Sequence, residues 1–410
     1  DILKKYKNIF DWKGGEIDQG KVLKSNLKKL IPEKIITDKR KNRDSKDQEK
    51  RAKVLINMGV SMEKIEFIEH HTCHAAGAAY GNNKKKPTLI VTADSSGDGI
   101  SGTVNTFINN NLERKAVIDI NDSIARIYAL VTYYMGMVPT EHEYKIMGMA
   151  PYASETKQAR EIADHFLSLF EYSDDGLTYT RKEGVVPTYK FGPMLQKFLH
   201  LKRFDHVCAG LQIFVEEFIS GWIKNVAKNL SLRHIGLSGG LFMNVKLNKR
   251  IMELDEIDDV FVFPSCGDET NVFGALYHYW YKTTGKTPEP IKSFYFGKEF
   301  SDEEIKLTLD SYQFKNKIEY KKIDNIEELS AQLLAKNNIV ARFSGKMEFG
   351  ARALGNRSIN ANPKSEKSIK TINKMIKNRD FWMPFAPSMI GSDRYIINTK
   401  KIKAPYMVMT

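Results

Sequence analysis

Two histidines four residues apart are the first residues in this chain whose types and spacing suit chemistry. In His70-His71-Thr72-Cys73-His74, the first and last imidazoles share one face of a helix and can hold a single metal ion, while His71 points elsewhere. Alone, such a pair is more often surface or core histidine than a metal site. Three further segments supply what the pair lacks. Asp94-Ser95-Ser96-Gly97-Asp98-Gly99 follows an apolar run from Thr88 to Ala93. Its glycines let backbone N–H groups approach a phosphate, and its carboxylates suit a metal bound to that phosphate. A plain polar hairpin turn accounts for the same residues. Ser238-Gly239-Gly240, leading to Asn244, reads as a strand end, a tight turn and a helix start, a setting for flat or phosphorylated ligands. Cys266-Gly267-Asp268-Glu269 places another carboxylate at a strand end. His70, His74, Asp94 and Asp268 together make a mixed nitrogen and oxygen set suited to Fe²⁺, Mn²⁺ or Zn²⁺.

A second kind of site lies downstream. Gly345 to Ser358 concentrates Lys346, Arg352 and Arg357 among glycines and alanines, and Lys377 and Arg379 precede Phe381-Trp382-Met383-Pro384. Guanidinium forks among small residues suit phosphate clamping. Solvated charge explains Lys374 equally well but not the packed Gly350–Gly355 stretch.

The elements that must position these residues follow from periodicity. Strands are expected at Thr88–Ala93, Ser101–Phe107, about 235 and Val260–Phe263, and helices at 123–136, 157–171 and 208–230. Leu211, Phe214, Val215, Phe218 and Trp222 repeat at helical spacing and read as core. Alternating strands and helices mean α/β, with the chemistry on loops at strand ends. Thr283–Pro290 reads as a linker, followed by helices near 302–310 and 326–336. The division is placed at 288/289. With 410 residues, 42% of them hydrophobic and 28% charged, two globular parts with a sizeable core are expected. No apolar run approaches the roughly 20 residues that span a bilayer. Three cysteines are too few for a disulfide framework, so a reducing cytoplasm is the expectation. The net charge of +13 is dispersed lysine, which disfavours a nucleic-acid partner. The polar stretch from Lys34 to Lys53 is expected to be a mobile loop or a solvated helix.

Seven segments in order, HHTCHAA, TADSSGDG, EHEYKIMGMAPY, GLSGGLFMN, PSCGDE, GKMEFGARALGNRSI and KNRDFWMPFAPS, resemble the NodU/CmcH-type O-carbamoyltransferases over residues 70–388. The resemblance implies an actin-like domain (1–288), akin to that of tRNA threonylcarbamoyladenosine synthases, and a smaller YrdC-like α/β domain (289–410). It implies that carbamoyl phosphate and ATP, with Mg²⁺, form a carbamoyl-adenylate in the second part. The carbamoyl group then moves to a hydroxyl-bearing acceptor, a small molecule or sugar, at the metal site of the first. Carried over, His70, His74, Asp94 and Asp268 match the metal ligands, with Fe²⁺ expected ahead of Mn²⁺ or Zn²⁺. Gly97, Asp98 and Gly99 fall in the second motif. Gly239, Gly240 and Asn244 match the adenosine-side loop, and Arg352, Arg357, Lys377 and Arg379 match the basic cradle. Glu141 and Lys145 match a motif without an assigned role. The assembly is expected to be soluble, with a homodimer allowed.

Departures accompany the match. The family's opening hairpin with its His-Asp motif is not found, and the chain ends inside Tyr406–Thr410, read as a strand, so both domains are expected to be incomplete. Ala351 stands where proline is usual. Met383 stands where an arginine would reach the phosphate cradle. Two other readings compete: a tRNA-modifying carbamoyl enzyme, against which the GARALGNRS segment argues, and a non-catalytic actin-like module, against which the histidine and aspartate set argues.

Overall fold

The computed structural model describes residues 35–39, 52–82, 86–314, 316, 318–389 and 406–410, with the backbone alone at 35–39. Most of the Lys34–Lys53 stretch lies outside the described residues. The apolar run after Pro87 forms β3 (Thr88–Gly97), which turns through Asp98 and Gly99 into β4 (Ile100–Ile108) and then β5 (Asn111–Asp119). Asp98 and Gly99 both take left-handed backbone angles, φ +51° and +87°, so the reversal needs only two residues. The expected six-residue loop at 94–99 is therefore mostly strand, with an irregularity in pairing between Ala93 and Gly97.

On the other side of β3 lie β8 (His234–Ser238) and β9 (Asp259–Val262), both parallel to it. The five-stranded order is β5-β4-β3-β8-β9, with only β4 reversed against the other four. Numbered within the sheet, that is 3-2-1-4-5, a mixed α/β sheet as the actin-like expectation requires. β1 (Ile35–Lys39) and β2 (Ile65–Glu69) form a separate parallel pair.

Helix α1 (His70–Tyr80) is small-residue rich and almost wholly buried, which lets it lie close against the sheet. Glu69 caps it: its carboxylate accepts from the backbone N–H groups of His71 and Thr72 at 3.0 and 2.7 Å, and pairs with Arg114 at 2.5 Å. Burial opposes the Glu69 charge, but the Arg114 charge and the hydrogen bonds from the Arg114 guanidinium and the Thr72 hydroxyl prevail and hold its carboxyl at about 2. A depressed acid stabilises the fold above its ordinary pKa and loses that contribution as pH falls toward the folded value. Glu69→Ala is expected to cost about 1–3 kcal/mol at pH 7, and the gap to the unaltered chain should shrink between about pH 4.5 and 2 in urea titrations.

Further helices are α2 (Ile124–Tyr134), α3 (Glu143–Met149), α4 (Lys157–Leu167) and α5 (Gly192–Leu199), before the long α6 (Phe204–Leu230). The five α6 residues singled out by spacing are all buried, and the Trp222 indole donates to the Leu177 carbonyl at 2.9 Å. The expected helix to 171 stops at Leu167. Its aromatic end instead forms a hairpin, β6 (Phe170–Tyr172) with β7 (Tyr179–Arg181), fixed by Arg181 on buried Asp122 at 2.6 Å.

α7 (Val245–Met252) and α8 (Asn271–Thr284) complete the helices around the sheet. Downstream lie α9 (Asp302–Ser311), α10 (Ile326–Ala335), the antiparallel pair β10 (Val340–Phe343) and β11 (Arg357–Asn360), and α11 (Glu366–Thr371). Neither α9 nor α10 buries a residue, because two strands offer too little apolar surface to cover them. Tyr406–Thr410 is not a strand in the structure. It packs instead, with Tyr406 against Phe294 and the Val408 carbonyl accepting from Asn248 at 2.8 Å.

Candidate metal centre

All four expected donors meet. His70, His74, Asp94 and Asp268 each offer an atom within 4.8 Å of the others. The two imidazole Nε2 atoms are 3.1 Å apart. Asp94 Oδ2 lies 3.3 Å from His74 Nε2 and 3.9 Å from His70 Nε2, and Asp268 Oδ1 lies 3.4 Å from His70 and 3.6 Å from His74. An ion about 2.1 Å from each of two donors holds them roughly 3.0–3.4 Å apart at octahedral or tetrahedral angles, so the cluster fits one divalent cation with slight contraction.

The elements explain the convergence. His70 and His74 lie one turn apart on α1. Asp94, Ser238 and the 263–268 loop stand at the C-terminal ends of parallel β3, β8 and β9, where an open α/β sheet leaves its crevice. Both histidines are buried, Asp94 is 13% exposed and Asp268 65% exposed, so the centre is open on the Asp268 side. Asp94 is anchored by the Gly240 N–H at 3.1 Å. Burial disfavours its charge, but the two imidazoles outweigh that and hold the carboxyl well below the usual range.

Residues read as a phosphate loop have tasks around the same centre. A Cβ on Gly97 would sit 2.2 Å from the His70 ring, and the Asp98 carboxylate accepts the His70 backbone N–H at 2.7 Å. Gly99 completes the turn. Gly239, at φ +109°, lets its backbone pass Ala93, whose carbonyl a Cβ would meet at 2.2 Å. Asn244 caps α7 through the Leu247 N–H and exchanges two hydrogen bonds with Gln212, at 2.9 and 3.0 Å. His71 turns away, its Nδ1 2.8 Å from Thr92 Oγ1, and burial with the nearby His74 and His70 lowers it to about 3.

The basic residues are less concentrated. Arg352 lines a shallow cleft with Phe242, Cys266, Phe349 and Tyr406, next to the glycine loop. Arg379 donates to Asn373 at 2.7 Å. Burial lowers the Arg379 pKa, with Tyr144 opposing and the charge of Arg352 adding to the effect. Arg357 is spent on carbonyls, at Ser344 and Gly345, and lies 3.5 Å over the Phe343 ring. Lys377 is exposed. Sequence reasoning missed Glu348, whose Oε1 accepts from the Leu354, Asn356 and Arg357 N–H groups and shapes this loop. It also missed the contacts of Lys145: its ammonium pairs with Asp380 at 3.0 Å and its carbonyl accepts from Trp382, tying α3 to the segment around 380. Met383 is buried, with its sulfur near Gly148. An arginine there would meet the apolar face of α3 and not the phosphate cradle, so Met383→Arg is expected to destabilise the contact without tightening phosphate binding.

This sheet order, with imidazole and carboxylate donors over the ends of its parallel strands, defines an actin-like α/β protein with a candidate mononuclear metal centre. Residues 21–277 match the description "Carbamoyltransferase N-terminus" and residues 331–410 match "Carbamoyltransferase C-terminus". The chain belongs to the carbamoyltransferase family. An uncharacterised protein of Methanocaldococcus jannaschii is 28% identical, covering 84% of this chain and 59% of its own length. Nodulation protein NolNO of Sinorhizobium fredii is 26% identical over 82% of this chain and 48% of its own length, and nodulation protein NolO of Bradyrhizobium diazoefficiens is 26% identical over 80% and 59%. The chain thus spans about half to three fifths of these relatives. Full-length HypF in its phosphate- and nucleotide-bound form covers 66% of this chain and 52% of its own at 15% identity and a TM-score of 0.38, too distant to carry an argument. Among the described residues, no helix is long and apolar enough to cross a membrane.

Proposed function

We propose that this chain carries the transfer site and part of the activating site of an O-carbamoyltransferase, divided near 288/289. The observation that carries the reading is the convergence of His70, His74, Asp94 and Asp268 in a chain of this family. Carbamoyl phosphate and ATP would be gripped on the Arg352 side, with Lys377 and Arg379 supplying further charge, to give carbamoyl-adenylate. At the metal site the acceptor oxygen bonds to the carbamoyl carbon as the bond to the adenylate phosphate oxygen breaks. AMP leaves with the electron pair, and the hydroxyl proton passes to a base. A divalent ion, Fe²⁺ before Mn²⁺ or Zn²⁺, supplies Lewis-acid polarisation there. His70, His74 and the anchored Asp94 would hold that ion on the buried side, and the open Asp268 side leaves room for acceptor and adenylate.

The direct test is AMP release by the purified protein that depends on both carbamoyl phosphate and a hydroxyl acceptor. AMP release indifferent to carbamoyl phosphate would refute the proposal. Arg352→Ala is expected to weaken carbamoyl phosphate or nucleotide binding by about 1.5–3 kcal/mol with little change in melting temperature. Unchanged binding with a collapsed fold would make Arg352 a structural residue instead.

A further inference from the structure

The four ligands do not by themselves turn both imidazole lone pairs inward. A neutral imidazole carries one N–H, so both Nε2 atoms can face one ion only if both Nδ1 atoms hold the hydrogen and each finds an acceptor. His74 Nδ1 lies 3.1 Å from the Ser238 hydroxyl, fully buried at the end of β8. His70 Nδ1 lies 3.4 Å from the carboxamide of Asn271, the first residue of α8, which is 8% exposed. The Asn271 carboxamide oxygen is buried and, among the described residues, has no hydrogen-bond partner. A half-turn of the carboxamide leaves its shape unchanged and brings that oxygen within reach of His70 Nδ1 as an acceptor.

We propose that Ser238 and Asn271 are positioning residues that hold His74 and His70 in the Nδ1–H form, so that both Nε2 atoms serve one cation. The inference rests on the metal reading above. His71 shows the contrast: its Nδ1 is engaged by Thr92, which is itself 2.7 Å from Thr103 Oγ1, and its ring contributes no atom to the cluster. The two positioning groups come from different elements than the ligands they orient, β8 and α8 against α1, so the centre depends on the packing of three elements and not on α1 alone.

Cobalt(II) titration of the whole chain, followed by visible absorption, tests this without relying on activity. Ser238→Ala and Asn271→Leu should each weaken Co²⁺ binding about 10–100-fold and shift the absorption bands. Asn271→Asp, which can only accept at neutral pH, should keep Co²⁺ binding at least as tight as in the unaltered chain. Equal melting temperatures of the metal-free proteins show that the fold is intact; should Ser238→Ala fail to fold, the two Asn271 variants carry the test. If Asn271→Asp loses Co²⁺ as Asn271→Leu does, the acceptor role is overturned. Co²⁺ uptake by the unaltered chain with unchanged affinity and spectrum in the variants overturns this inference alone. No Co²⁺ uptake by the unaltered chain overturns the metal reading and this inference with it.

Discussion

Replacing His74 with alanine should strip the chain of bound metal. Its Nε2 is the most central donor, 3.1 Å from His70, 3.3 Å from Asp94 and 3.6 Å from Asp268. Loss of an outer-shell partner costs a metal site roughly 10–100-fold, so loss of this ligand should cost more than about 100-fold. Asp94→Asn should rank next, because Asp94 is buried and anchored by Gly240. Asp268→Asn should rank last, since Asp268 is mostly exposed and water can take its place. Elemental analysis of protein purified without chelator reads the result. Stoichiometric metal surviving replacement of both His70 and His74 by alanine would sink the proposed site.

Gly274→Ala should be the most damaging small substitution. A Cβ there would lie 1.7 Å from the Cys73 carbonyl oxygen and 2.5 Å from its carbon, so α8 and α1 touch backbone to backbone at this point. Neither helix can yield without moving, and overpacking of this kind costs about 3 kcal/mol or more. Because Cys73 immediately precedes His74, the shift should also loosen metal binding. Gly77→Ala is the control. It faces the same contact from α1, but its Cβ would meet nothing closer than 3.9 Å. Alanine in mid-helix should be neutral or stabilising there, by up to about 1 kcal/mol. Urea denaturation of both variants decides; equal losses would mean that helix contact is not the cause.

Much of the site was legible because its rules are local. Four-residue spacing on a helix brings His70 and His74 together whatever the rest of the chain does, and apolar runs ending in glycine and aspartate mark strand ends. Local reading could not show which side chains answer to distant partners. The 94–99 segment reads as a phosphate loop by composition, and only the fold shows that Asp98 also accepts the His70 backbone N–H and that Gly97 makes room for the His70 ring. Met383, which stands where an arginine is usual, is buried with its sulfur near Gly148 of α3.

By itself, then, the sequence determined that two imidazoles share a helix face, that carboxylates follow buried strands, and that a long helix carries Leu211 to Trp222 inward. Each follows from a repeat of 2 or 3.6 residues, which needs no knowledge of what lies across the core. Only the tertiary structure decided that Asp94 and Asp268 meet the same pair of histidines, because that depends on β3, β8 and β9 lying side by side and parallel. It also decided that Ser238 and Asn271 stand behind those histidines, and that Lys145 clasps Asp380. Such contacts are set by the order of strands in the sheet and by where helices can approach closely, and neither is written in the spacing of neighbouring residues.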